Sequence, residues 1–202
     1  MVKSITLKKS ITLISILAVL MIAFSGCVDN NAPADNRTDS GNLGSKAISD
    51  ENTSNLSTPE TIPSGFEYIY TLPLSAEDIK NDYSAENISG ILEGSEGGYK
   101  GSNGTDYYID VIKFEDKEAA NNFIESYKSS FKPLNNTSNI SRFMDESLNG
   151  HSAVKITDFV ISDGKTIPRY TYIWNNENYV IVVFGNTADE SSIRQLAEAT
   201  KY

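Results

Sequence analysis

This sequence predicts an α+β domain, an antiparallel sheet with helices packed mainly on one face. Three observations predict it. Alternating apolar runs are joined by Asn103-Gly104 and Asp163-Gly164, pairs that tolerate the positive φ of tight hairpin turns. Two stretches, near 116–131 and 189–201, carry apolar residues at helical spacing. All eleven tyrosines, Trp174 and seven of the eight phenylalanines lie beyond Gly65, so core-forming residues are confined to 65–202. A domain of about 138 residues is an ordinary size.

Taken in order, Phe66 to Leu72 is strand-like in composition. A further strand is expected within Ser84–Tyr99, and Tyr107–Phe114 follows the Asn-Gly turn with Tyr107, Ile109 and Val111 on one face. Asp116 can cap the next element. There Ala120, Phe123, Ile124, Tyr127 and Phe131 form the inner stripe of an amphipathic helix, stopped by Pro133. HSAVKITDFVI is a strand with SDGK as its turn, and Arg169–Trp174 and Tyr179–Phe184 are two more, joined by Asn175–Asn178. YVIVVF is apolar on both faces, which places it centrally in the sheet. Thr187-Ala188-Asp189-Glu190 fits a capping box, and Ile193, Leu196 and Ala197 form the inner face of a closing helix. Each half thus runs strand, turn, strand, helix, the outline of a pseudo-repeat.

Ahead of the domain stand two segments of different character. Lys3, Lys8 and Lys9 precede the apolar run Ile11–Phe24, and Ser25, Gly26 and the single cysteine, Cys27, follow. This is the layout of a secretory signal over residues 1–26; about 20 apolar residues would be needed for a spanning helix. Phe24-Ser25-Gly26-Cys27 resembles the lipobox of bacterial and archaeal lipoproteins, although Phe is less usual than Leu in its first position. The resemblance covers the first 27 residues and implies cleavage before Cys27 and a diacylglyceryl group on its thiol. Two acyl chains anchor stably where one is marginal. Residues 27–64 are rich in Asn, Ser, Thr, Asp and Gly and hold no aromatic residue, so they are expected to form a disordered tether. A chain of that length spans roughly 30–35 Å on average.

Eight sequons stand at Asn36, Asn52, Asn55, Asn87, Asn103, Asn135, Asn136 and Asn139, and these are candidates for N-glycosylation. Together with the lipobox they point to an archaeal surface lipoprotein. The element pattern is similar to small domains of secreted archaeal lipoproteins, a likeness that implies no activity.

The formal charge is −10, from 17 basic and 27 acidic residues. Such a surface repels phosphate backbones, so no nucleic-acid partner is expected. His151 is the only histidine and Cys27 is reserved for lipid, which leaves no Ser-His-Asp triad to assemble on firm ground and no zinc site of usual ligands. GILEGSEGGYKGSNG lacks the spacing of a phosphate-binding loop and is expected to be a flexible hairpin. No calcium-loop motif is present, and neither metal nor cofactor is expected. Tyr170, Tyr172 and Trp174 alternate along one strand and share a face. If exposed, that face is an aromatic strip for a sugar, peptide or protein; if inward, it is packing. The expected function is a non-catalytic one: a lipid-anchored extracytoplasmic lipoprotein that binds an envelope protein or glycan. The alternative is an extracellular hydrolase working through carboxylates.

Overall fold

A computed structural model describes residue 48 and residues 51–134, 140–162 and 164–202. Its elements run α1 (Thr53–Leu56), β1 (Phe66–Leu74), α2 (Ala76–Asp82), β2 (Ile91–Gly101), β3 (Asp106–Phe114), α3 (Lys117–Ser130), β4 (Phe143–Leu148), β5 (His151–Ser162), β6 (Lys165–Asn176), β7 (Tyr179–Gly185) and α4 (Glu190–Ala199). The seven strands form one antiparallel sheet in the order β1-β2-β3-β7-β6-β5-β4. The α+β class and the antiparallel sheet are as the sequence predicts, and β7, the YVIVVF strand, is the fourth of seven.

The helices do not sit mainly on one face. Residues alternate sides along a strand, and β7 is apolar on both: Tyr179, Ile181 and Val183 point one way, Val180 and Val182 the other, all fully buried. Both sides therefore need cover. On the first face α1 and α4 close over Tyr107, Ile109, Val111, Tyr172 and Trp174. On the second, α2 and α3 close over Ile112, Phe114, Ile156 and Ile173. The placement also removes the pseudo-repeat. Adjacent antiparallel strands such as β3 and β7 are related by an axis normal to the sheet, which would put α3 and α4 on the same face; they lie on opposite ones.

Local chemistry sets the helix starts. Asp116 accepts from the Ala119 amide at 2.8 Å and opens α3. Helix α2, which the sequence reading did not anticipate, carries a full capping box between Ser75 and Asp78. The cap of α4 is Asp189 rather than a box begun by Thr187: its carboxylate accepts from the Ser191 and Ser192 amides and hydroxyls. Those bonds hold its pKa below the ordinary value.

The expectation of a disordered tether over 27–64 does not hold for residues 51–58. Residues 51–58 form a strap on the first face, where Leu56 is fully buried and Ile48 joins the same cluster. Thr53 donates from its amide and hydroxyl to Glu93 Oε1 at 2.8 and 2.7 Å. Tyr99 Oη donates to the Ser57 carbonyl at 2.5 Å, and Tyr179 Oη to the Glu51 carbonyl at 2.8 Å. Polar composition did not prevent docking, because one leucine and four hydrogen bonds meet prepared partners. The glycine-rich run does form a hairpin, as expected: it holds the whole of β2 and the turn into β3, paired on both sides within the sheet, and its glycines admit neighbours. A Cβ on Gly97 would collide with the Ser57 carbonyl oxygen, and one on Gly94 would stand 2.6 Å from Ile79 Cδ1 of α2.

Candidate functional site

Cys27, Asn36, Asn135, Asn136 and Asn139 lie outside the described residues. The four described sequon asparagines, Asn52, Asn55, Asn87 and Asn103, are all exposed. Asn103 Oδ1 accepts from the Thr105 amide at 2.9 Å within the β2–β3 turn. His151 begins β5 and is half-buried; burial lowers its pKa, opposed by Glu177 and assisted by Lys117.

The strip on β6 is not a binding face. Tyr172 and Trp174 are fully buried beneath α4, and Tyr170 packs against the same cluster, half-buried. Trp174 Nε1 donates to the Tyr202 carbonyl at 2.9 Å. Tyr172 Oη donates to Glu190 Oε1 at 2.9 Å, beside Lys155, which bridges Glu190 at 2.8 Å and Glu146 at 3.0 Å. Arg194 also pairs with Glu146. Burial disfavours the ionised Glu146, but the Lys155 and Arg194 hydrogen bonds outweigh it and hold its pKa below the ordinary value. Burial likewise opposes the charge on Lys155, and its two carboxylate partners more than restore it. The alternation that aligned the three aromatics was read correctly; it aligned them inward because β7 beside them has no polar face.

Aromatic residues do gather elsewhere, on the second face. Sheet register puts Tyr70, Gly98, Tyr108, Phe184 and Thr171 in one row across β1, β2, β3, β7 and β6. Helices α2 and α3 cover the neighbouring rows toward Phe114 and leave the side chains of this row half-buried, with Gly98 itself buried. Tyr108 and Phe184 stack with centroids 5.1 Å apart and planes 26° from parallel. Gly98 has no side chain to fill the space between Tyr108 and β1, and Tyr70 leans into it: a Cβ on Gly98 would lie 2.5 Å from two atoms of the Tyr70 ring. What remains is a slot of about 250 Å³ walled by Tyr70 and Tyr108, floored by Gly98 and rimmed by Ile69, Lys100 and Asp106.

One carboxylate, Asp106, lies on its rim, and two more stand in the row beyond its walls. Glu96 and Asp110 are cross-strand partners in the next row. Glu96 Oε1 accepts from Tyr70 Oη at 2.9 Å, and Asp110 Oδ2 from the buried Tyr83 Oη at 2.6 Å. Asp106 pairs with Lys100 at 2.7 Å. Burial, then the bond to Glu96 and the charges of Glu96 and Asp110, push the Tyr70 hydroxyl pKa well up. Burial with Asp106, Glu96 and Asp110 does the same to Tyr108. Both phenols remain neutral donors at neutral pH, in a negative local field.

Sequence reasoning missed all of these residues. A signal was present: if Tyr107, Ile109 and Val111 face one side of β3, Tyr108 and Asp110 must face the other. Among the described residues no group of three or more His, Cys, Asp or Glu is placed to hold a metal ion, and no helix is long and apolar enough to cross a membrane. Comparison with known proteins finds no match: no family model fits the chain, and no curated protein and no solved structure is similar to it.

Proposed function

We propose that this chain is an extracytoplasmic lipoprotein, anchored through Cys27, whose domain binds an envelope partner at the Tyr70–Tyr108 slot. The anchor is supported by the basic, apolar and small-residue order of 1–27. The binding role rests on one observation: a half-open aromatic slot at the uncovered end of a sheet face that is otherwise closed by helices. Concave sites with aromatic walls and a few placed polar groups are where ligands bind. Hydrolysis by a carboxylate pair has one observation in its favour, the adjacency of Glu96 and Asp110. Against it, Asp110 is 4% exposed and engaged by Tyr83, so Glu96 alone is presented to a substrate.

The test has two arms. Cys27→Ser moves the protein from the membrane fraction to the soluble one, or leaves uncleaved precursor; fractionation and mobility unchanged from wild type refute the anchor. Tyr108→Ala removes a half-buried ring stacked on Phe184 and so lowers the melting temperature, but it lowers partner crosslinking in intact cells further than the loss of folded protein accounts for. Undiminished crosslinking refutes the slot as the binding surface.

A further inference from the structure

The β5–β6 hairpin outruns the sheet on both sides. Pairing with β4 stops at Phe143–Ile156, one further bond joins the Thr157 amide to the Arg142 carbonyl, and pairing with β7 stops at Thr171–Phe184. Residues 158–162 and 165–169 pair only with each other and form an arm. The arm is apolar on both faces: Phe159, Ile161 and Pro168 share one, Val160 and Ile167 the other. None of these belongs to either core cluster. Ile161, at 82%, is the most exposed large apolar side chain among the described residues.

The free edge of β5 has a defined hydrogen-bonding register. Main-chain groups along an antiparallel strand alternate between its two neighbours. The Thr157 amide faces β4, so the amides and carbonyls of Phe159 and Ile161 point to the same side, past the end of β4. Bulges, prolines, charges and short length blunt a sheet edge against pairing with another chain. Strand β1 has a bulge at Ile69 and Pro73, and β4 is short and carries the exposed Asp145. Residues 159–161 have none of these guards, and the neighbouring Asp158 is neutralised by Arg142 at 2.6 Å. This edge is also complementary to itself. A two-fold axis at Val160 sets two copies of β5 antiparallel, with Phe159 opposite the partner's Ile161 and Val160 opposite the partner's Val160. The outward groups of Phe159 and Ile161 then exchange N–H···O bonds, and apolar side chains meet on both faces. Asp158 falls opposite the partner's Ser162, so no like charges are opposed. Two chains that each carry −10 repel least where their surfaces are neutral. A bilayer is the poorer cover, because the arm ends in Asp163-Gly164-Lys165 and those charges would have to enter first.

We infer that two copies of this chain associate through their arms, β5 against β5 across a two-fold axis at Val160, as a closed dimer. The inference is independent of the slot and of the lipid anchor. Sedimentation equilibrium of the full-length protein in density-matched detergent shows a concentration-dependent dimer. Val160→Lys sets two cations opposite each other outside both core clusters; it weakens the dimer at least about tenfold and leaves the urea midpoint unchanged. Disulfides test the register. Cys27 is the single thiol of the wild type. Under a mild oxidant such as diamide, Val160→Cys gives a disulfide-linked dimer, because a non-hydrogen-bonded pair holds its Cα atoms about 4.5 Å apart. Ile161→Cys, out of register with its own copy, and Leu92→Cys, exposed elsewhere, give no more linkage than wild type.

A monomer at every concentration up to about 0.2 mM overturns the inference. So does a dimer that Val160→Lys leaves intact, which would place the contact on another surface. Linkage at Ile161→Cys or Leu92→Cys equal to that at Val160→Cys overturns the two-fold register. Should Val160→Lys lower the urea midpoint, the Val160→Cys disulfide decides alone.

Discussion

Gly97→Ala should detach or strain the strap at 51–58. In a strand, replacing glycine by alanine ordinarily helps, because it removes freedom from the unfolded chain, by about 0.4–1 kcal/mol. Here the new methyl would run into the Ser57 carbonyl oxygen, a backbone atom with no rotamer to yield. Two responses bracket the cost. If the strap moves by a few tenths of an ångström, overpacking costs about 1–3 kcal/mol. If it lifts off, Leu56 loses its burial, about 1.5–3 kcal/mol, and the fully buried Tyr99 loses its 2.5 Å acceptor, about 1–3 kcal/mol more. Urea denaturation gives the change in midpoint, and amide hydrogen exchange over residues 53–57 separates the two responses. Leu92→Ala, at a position 57% exposed, serves as the control and should stay within about 0.5 kcal/mol of wild type. A Gly97→Ala protein as stable as wild type, with full exchange protection over the strap, would show that the Ser57 carbonyl does not lie against Gly97 as described; unprotected amides over 53–57 in the wild type would show that the strap is not docked at all.

Trp174→Ala, at a residue 1% exposed, should cost about 3–5 kcal/mol in chemical denaturation, and an unchanged midpoint would place the strip outside the core. Lys155→Met should cost about 1–3 kcal/mol at neutral pH by removing the cation that Glu146 and Glu190 share, leaving Glu146 only Arg194 and Glu190 only the Tyr172 hydroxyl. Glu146 has a depressed folded pKa, so its share is present above the unfolded value of 4.5 and is lost as pH falls through the folded value; the variant's deficit should therefore shrink in acid and not at pH 8. Tyr70, Tyr83, Tyr99, Tyr127 and Tyr172 have folded pKa values raised above 10.0, first of all by burial. Their contribution is complete below pH 10 and is lost above it, so tyrosinate absorbance should rise together with unfolding in one cooperative alkaline step rather than as independent titrations.

Most of the strands, and helices α3 and α4, were legible because each signal was local. Phe66-Glu67-Tyr68 and the alternation from Tyr107 announce strands, and the stripe Ala120-Phe123-Ile124-Tyr127 announces a helix, before any partner is known. The faces were less legible because they are relations between elements. The apolar stripe of α3 says that the helix packs, but only the two-sided burial of β7 decides that α3 and α4 cannot share a side. Strand β4 was missed for a related reason. FMDESL is half polar, without apolar alternation, and has Met144 exposed, and it becomes a strand by pairing with β5 at the sheet edge.

The candidate site was illegible for a different reason: its defining residue is a glycine. Composition suggests that Gly94, Gly97 and Gly98 loosen the chain, and a glycine-rich run is ordinarily read as a flexible loop. In β2 they do the opposite, since the missing side chains let other groups approach the backbone. Gly94 admits Ile79 and so seats α2; Gly97 admits Ser57 and so seats the strap; Gly98 admits the Tyr70 ring and so forms the floor of the slot. The strand is thus the surface on which both covers and the candidate site are assembled. Each glycine's meaning lies in an atom more than 14 positions away in sequence, on a neighbour that pattern reading cannot supply. The same dependence ties function to stability here. The strap holds Tyr99 on one side of β2, while Gly98 beside it carries the slot on the other, so loss of the strap should disturb the walls of the slot without any change to its own residues.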